Sequence, residues 1–128
     1  CEPRKDRPGR FRAGEMTTAQ HASLAAGRWQ ALSLIAQLAN IGSEVERALN
    51  WQAKRNSEYS RLAVLRALEL LNLTIADPRH RRRLKELTRL REALLDYFFG
   101  SNEFRSTDKI WRSYFYSFAY ASALERRR

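Results

Sequence analysis

The sequence predicts an all-α fold, an antiparallel four-helix bundle, and three observations support this fold class. From Met16 onward apolar residues recur every three or four positions, and no segment shows the strict alternation of a strand. Capping residues and one internal proline divide the chain into four helical segments. The connections between these segments are short, as is typical of antiparallel neighbours in a bundle.

The first predicted helix runs from about Ala19 to Ala53. Its apolar stripe includes Gly42, which costs about 1 kcal/mol relative to alanine inside a helix, so we expect a neighbouring helix to approach closely there. Asn56 caps the second helix, which reaches about Ala76 and is apolar around most of its circumference. Such a helix must be covered on several sides, either at the centre of the fold or by a second subunit.

The third predicted helix begins sharply, with Asp77 as N-cap and Pro78 at the first helical position. It runs to about Phe99, and Gly100 follows its end. After a short loop, Ser106 or Thr107 caps the fourth helix. Its core face has the following members: Ile110, Trp111, Tyr114, Phe115, Phe118 and Ala121.

Composition divides the chain into a basic N-terminal segment, residues 1–15, and a helical domain, residues 16–128. The segment has two prolines, two glycines and few apolar residues, which predicts disorder. Cys1 is the only cysteine, so an intrachain disulfide and a cysteine-based metal site are excluded. No apolar stretch reaches the roughly 20 residues of a membrane span, and no apolar signal region is visible. We expect a cytoplasmic protein with no metal and no cofactor.

Positive charge is concentrated at the start of the third helix. The net charge is +10, and seven of the thirteen residues from Arg79 to Arg91 are basic, against the single acid Glu86. Cations there oppose the positive end of the helix macrodipole, at about 0.3–1 kcal/mol each. A nucleic acid is therefore the leading partner hypothesis, and a solvated helix face is the alternative. The candidate phosphate-binding residues are Arg79, Arg81, Arg82, Arg83, Lys85 and Arg89.

Arg91 differs from the other basic residues because it projects into the apolar arc of the third helix. Glu46 similarly lies within the apolar stripe of the first helix. Since an unpaired buried guanidinium is very costly, we predict an Arg91–Glu46 pair that fixes the register of the two helices. Glu69 is the next candidate partner.

Four aromatic residues lie away from the predicted core faces: Trp29, Trp51, Tyr116 and Tyr120. Aromatics in such positions indicate a protein interface or a stacking surface. Together with the strongly apolar second helix, they favour a homo-oligomer. The rival hypothesis is therefore a protein–protein adaptor or oligomeric scaffold in which the arginines only confer solubility.

Motifs for catalysis are missing from the sequence. There is no Gly-x-Ser-x-Gly elbow and no glycine-rich phosphate loop, and His21 and His80 lack metal-ligand spacing. A hydrolase that uses His80 as a general base beside the arginines is a remote alternative. We predict a non-enzymatic protein that binds nucleic acid, as an accessory subunit in one version of the hypothesis.

Several stretches of the chain resemble a family of short, uncharacterised bacterial all-helical proteins. They are Asn40–Glu44, Arg66–Pro78, Arg83–Phe104 with its Asp96-Tyr97-Phe98, and Ser106–Asp108. The resemblance implies a compact helical fold and a bacterial, intracellular setting, and it carries no functional residues because the family has no assigned activity. The chain departs from the family at Arg55, where glycine is expected, and at Asn72, where an acid is expected.

Overall fold

The computed structural model describes residues 27–127, and all regular secondary structure in that range is helical. Residues 27–30 are helical, and the elements that follow are α1 (Leu34–Ala53), α2 (Ser57–Ala76), a 3-10 helix (Pro78–Arg83), α3 (Leu84–Phe99) and α4 (Asp108–Arg126). The prediction of an all-α protein is confirmed. The segment 1–15 and the predicted helix start at Ala19 lie outside the described residues.

Helix α1 is the most enclosed element, because it packs against both α2 and α4. Its buried residues recur with helical spacing and form one continuous face: Gln37, Leu38, Ile41, Gly42, Val45, Ala48 and Leu49. Helix α2 packs against α1, α3 and the 3-10 helix, yet it leaves Tyr59, Leu62 and Leu65 exposed. The cover predicted for the second helix is therefore incomplete within the described chain.

The predicted close approach at Gly42 is confirmed. A Cβ atom built on Gly42 would lie 2.7 Å from the Cβ of Phe115, a separation that side chains do not tolerate. The missing side chain lets α4 lie directly on α1, and Phe115 fills the space. Glycine's low helix propensity is thus offset by packing.

The first predicted helix is interrupted at residues 31–33 instead of running on to Ala53 without a break. The Ser33 hydroxyl accepts a hydrogen bond from the backbone N–H of Ala36 at 3.1 Å and starts α1 as its N-cap. Backbone contacts also divide the chain here, and Leu32–Arg128 forms one compact unit. Residues 27–31 belong to the other unit.

The third predicted helix consists of two pieces joined by a kink. Asp77 caps the 3-10 helix by accepting from the backbone N–H of Arg79 at 2.9 Å, and Pro78 occupies the first turn as predicted. His80 has non-helical dihedral angles, φ −104° and ψ 21°. Helix α3 then begins at Leu84, and its N-cap Arg83 makes no side-chain capping bond.

The loop between α3 and α4 is held by side chains that substitute for backbone partners. The Asp96 carboxylate accepts from the backbone N–H groups of Glu103 and Phe104, at 2.8 and 3.0 Å. The Tyr97 hydroxyl donates to the Asp108 carboxylate at the start of α4. Thr107 caps α4, accepting from the backbone N–H of Ile110 at 3.1 Å, so one of the two predicted caps is confirmed.

Candidate nucleic-acid interface

Arg79 is neutralised within the fold. Its Nη2 lies 2.7 Å and its Nε 3.0 Å from Oδ2 of Asp77, and Nη2 also donates to the backbone carbonyl of Leu32 at 3.1 Å. The Asp77 side chain is buried, and the hydrogen bond from Arg79 lowers its pKa below the ordinary value, against the opposing effect of burial. Arg79 therefore ties the 3-10 helix to the residue before the Ser33 cap.

His80 points into the protein. Its Nε2 lies 3.0 Å from Oε1 of the buried Gln37 and 3.6 Å from Oδ2 of Asp77. The side chain is only 8% exposed, so the imidazole is not presented to solvent beside the arginines. The same residue carries the non-helical dihedral angles at the kink in the predicted continuous helix.

Arg83 is paired at the surface. Its Nη2 lies 2.8 Å and its Nε 2.9 Å from Oε1 of Glu86, one helical turn away, and both side chains are about half exposed. An exposed pair of this kind is worth at most about 1 kcal/mol. Arg83 can therefore exchange its partner for another anion at little cost.

Four cations of the basic run remain, and we call them the free group: Arg81, Arg82, Lys85 and Arg89. All four are exposed, and their side chains form no ion pair or hydrogen bond in the part of the chain that the structure describes. Lys85 and Arg89 are four residues apart on one face of α3, and Arg82, in the 3-10 helix, lines the same cavity as both. Of the six predicted phosphate-binding residues, these four keep their charge available.

A cavity of about 580 Å³, which we call the α3–α4 groove, lies beside the free group. Its cationic members are Arg82, Lys85 and Arg89, and Glu86 is its one carboxylate. The rest of the lining is mostly apolar: Leu90, Ala93, Ile110, Trp111 and Tyr114. The groove thus combines positive charge with aromatic and aliphatic surface, which the sequence did not predict.

Tyr114 supplies the accessible aromatic ring of the groove and is partly buried. Burial raises the pKa of its hydroxyl to about 12, and the nearby Glu86 carboxylate adds to that rise. The hydroxyl therefore stays protonated at neutral pH and can donate a hydrogen bond. Trp111 is buried beneath it, and its Nε1 is the one buried side-chain nitrogen or oxygen without a partner among the described residues.

The predicted Arg91–Glu46 pair is wrong. Glu46 accepts a hydrogen bond from Arg112 of α4, whose Nε lies 3.0 Å from Oε1 of Glu46. The Nη2 of Arg112 also donates to the side-chain oxygen of Asn50 at 3.1 Å. Arg91 instead donates from Nε to the Asn72 side-chain oxygen at 2.9 Å. Arg91 is half-buried rather than enclosed, so an amide oxygen and solvent suffice for its charge.

The four aromatics predicted as interface residues lie in different environments. Trp29 is buried, and Trp51 is half-buried, with its ring edge-on to Tyr59 at a centroid distance of 4.8 Å. The prediction that Trp29 and Trp51 are exposed is therefore wrong. Tyr116 and Tyr120 are exposed and stack on each other, with centroids 6.5 Å apart and planes inclined by 24°.

Comparisons with protein-family models, curated proteins and solved structures found no match. The described helices include none whose length and hydropathy would let it span a bilayer. Among residues 27–127, no three histidine, cysteine or acidic side chains are grouped as a metal site would require. What the basic face and its groove can bind follows from the charge and exposure of their own residues.

Proposed function

We propose that this chain is a non-enzymatic nucleic-acid-binding protein of the bacterial cytoplasm, folded as an antiparallel four-helix bundle. The all-α architecture and the short connections between α1, α2, α3 and α4 support the bundle. In this proposal the free group binds phosphates without reading sequence, and the protein acts beside an enzyme as an accessory subunit.

One observation carries the proposal: four exposed cations stand together without carboxylate partners in the described chain, although the fold neutralises their neighbours. Cations at the start of a helix oppose its macrodipole, so helix stability does not account for them. An anion bound to them would remove the mutual repulsion and the conflict with the dipole together.

The length of the cationic strip suits a nucleic-acid backbone. Arg82 in the 3-10 helix and Arg89 in α3 are seven residues apart, which corresponds to about 11 Å at rises of about 2.0 Å per residue before Leu84 and 1.5 Å after it. One strand of duplex carries a phosphate about every 3.4 Å along the axis, so about three phosphates fall within that length. Three cations on one face therefore meet a matching number of charges.

The test compares two double neutralisations that change net charge equally. Arg82→Gln with Lys85→Gln removes two charges from the free group. Arg47→Gln with Arg66→Gln removes two exposed charges beside Glu44, between α1 and α2. Binding of a labelled oligonucleotide is measured by fluorescence anisotropy across a series of salt concentrations, with circular dichroism to verify folding.

We expect the first pair to lower affinity at least tenfold and to reduce the slope of log K against log salt concentration by between one and two. The control pair should change affinity less than threefold. Equal losses in both pairs would mean that only net charge matters, and unchanged binding in the first pair would remove the proposal.

A second candidate function, self-association, is favoured by the exposed Tyr116–Tyr120 stack on α4. Leu124 is exposed one turn further along the helix, so the patch is continuous. Replacing both tyrosines with serine should halve the mass measured by light scattering if a homodimer forms through this face. A monomeric wild-type chain would exclude it.

A further inference from the structure

We infer that the α3–α4 groove accepts an unpaired base, so that the protein prefers single-stranded nucleic acid to duplex. This inference rests on the proposed function and names the class of nucleic acid that the same site takes. Its basis is the position of the apolar lining directly beside the cations Arg82, Lys85 and Arg89.

Phosphate binding alone does not need this arrangement. A duplex presents its phosphates outward and keeps its bases stacked, so an apolar groove beside the cations would remain unused. A single strand alternates phosphates with bases that have free faces, and proteins that bind it combine a positive groove with aromatic side chains. The lining of the α3–α4 groove has both parts.

Tyr114 is the ring best placed to receive a base. Its three aromatic neighbours meet it steeply, at interplanar angles of 89° with Trp111, 84° with Phe115 and 68° with Phe118. None of these three stacks parallel on it. Ile110, one turn earlier on α4, is 53% exposed and extends the apolar lining toward solvent.

The polar groups of the groove also suit a base. The Tyr114 hydroxyl is protonated at neutral pH, as tyrosine hydroxyls ordinarily are, and can donate a hydrogen bond. The Glu86 carboxylate also lines the groove; its Oε1 accepts from Arg83, and its second oxygen can accept from an exocyclic amino group. A cavity of about 580 Å³ lies within the range of ligand sites, 300–1,000 Å³.

An amphipathic acidic helix is the competing macromolecular occupant of such a groove. The observations favour a nucleic acid because its phosphates recur at every nucleotide and meet a row of cations in any register. A peptide would have to place its carboxylates at matching positions along the row. Binding of such a peptide in the groove is one outcome that the experiment can show.

The experiment measures anisotropy with a labelled 12-nucleotide single strand and with a 20-base-pair duplex, at one fixed salt concentration. The groove variants are Tyr114→Ala and Ile110→Ser. The matched control is Phe104→Ala, which removes an exposed aromatic outside the groove, in the loop between α3 and α4. Because Ile110 is half exposed, its replacement should fold even if Tyr114→Ala does not.

We expect wild-type protein to bind the single strand more tightly than the duplex. Tyr114→Ala should weaken single-strand binding about five- to tenfold and Ile110→Ser about two- to fourfold, since stacking on an aromatic contributes at least a fivefold effect per base. Duplex affinity should change less than twofold in both variants, and Phe104→Ala should match wild type with both ligands.

Equal affinity of the wild-type protein for single strand and duplex would overturn the inference, as would equal losses on both ligands in the groove variants. The inference would also be overturned if an acidic amphipathic peptide displaced bound duplex at concentrations at which the single strand does not displace it.

The proposed function and the base-binding inference fail differently. If neutralising Arg82 and Lys85 leaves all binding intact, the proposed function is wrong. If that change weakens binding while the groove variants keep the wild-type ratio, only the base-binding inference is wrong.

Discussion

The basic run from Arg79 to Arg91 contains two populations of cations that the fold treats in opposite ways. One, which we call the paired group, has partners: Arg79 with Asp77, Arg83 with Glu86, and Arg91 with Asn72. The other is the free group, whose side chains have none in the described chain. Residues of one chemical type, interleaved in sequence, thus differ according to whether a side-chain acceptor lies within hydrogen-bond distance.

The difference teaches that the count of basic residues overstates the available charge. Within the paired group, Arg79 stabilises the junction between α2 and α3, where the chain kinks and Asp77 accepts its hydrogen bonds. Within the free group, Lys85 lies in the first turn of α3, where the helix dipole disfavours cations, so its charge lowers the free energy of unfolding. Mutations in the two groups should therefore change stability in opposite directions.

The largest effect is expected at Asp77, the buried carboxylate that pairs with Arg79 of the paired group. Asp77→Ala removes both the N-cap of the 3-10 helix and the buried acceptor of Arg79, and should lower the free energy of unfolding by about 2–3 kcal/mol. Urea denaturation measures the loss. Asp77→Asn keeps a capping oxygen and should lose less; an alanine variant as stable as wild type would contradict the role of this pair.

Acid should weaken the paired group in a defined direction. The pKa of Asp77 is lowered in the folded state by the hydrogen bond from Arg79, from an ordinary value of 3.8. Its contribution is therefore complete well above pH 3.8 and is lost as the pH falls through the folded-state pKa. Denaturation curves of wild type and Asp77→Asn between pH 6 and 2 should converge at the acid end. A stability difference that stays constant with pH would show that Asp77 contributes no charge effect.

The free group should show a smaller effect of opposite sign. Lys85→Glu places an acid in the first turn of α3 and should raise the free energy of unfolding by about 0.3–1 kcal/mol, while lowering nucleic-acid affinity. Arg66→Glu, in the middle of α2, changes net charge equally and should give no such gain. A loss of stability in Lys85→Glu would mean that this cation has a structural role after all.

The smallest effect is expected at Arg83, the member of the paired group whose partner carboxylate is also exposed. Arg83→Gln breaks the surface pair with Glu86 and should change the free energy of unfolding by less than about 0.5 kcal/mol. Thermal denaturation at low and high salt provides the measurement. A loss comparable to that of Asp77→Ala would place Arg83 with the structural cations and erase the gradient within the paired group.

Local signals in the sequence predicted most helix boundaries. Asn56 and Thr107 cap their helices by accepting from Tyr59 and Ile110, as polar residues in those positions commonly do. Asp77-Pro78 marked the junction, and Gly42 marked the closest helix contact. These features depend on neighbours within a few residues, or on a single conspicuous glycine, and so are visible without coordinates.

Features that depend on the register between helices were not predictable in the same way. A helical projection placed Glu46 and Arg91 on inward faces but could not say that Arg112 would reach Glu46 first. The α3–α4 groove depends on how far apart two helices lie, which no single helix encodes. The sequence shows only that Ile110 and Tyr114 recur with helical spacing, a pattern that also predicts a core face.

The two departures from the family resemblance have structural counterparts. Arg55 has φ 62°, the left-handed region that favours glycine, and glycine is the residue that the resemblance leads one to expect there. Asn72 is the partner of Arg91, and an acid is expected at that position. At both positions the local geometry of this chain is accommodated by the residue present.

Trp111 lines two cavities, the α3–α4 groove and a second one between α1 and α4 that Gly42 and Phe115 also line. Its indole forms part of the wall of each. Because indole emission depends on the polarity around the ring, a chain in which Trp29 and Trp51 are replaced by phenylalanine would carry one built-in optical probe. A ligand bound in either cavity would then change the emission wavelength and intensity of Trp111, without any attached dye.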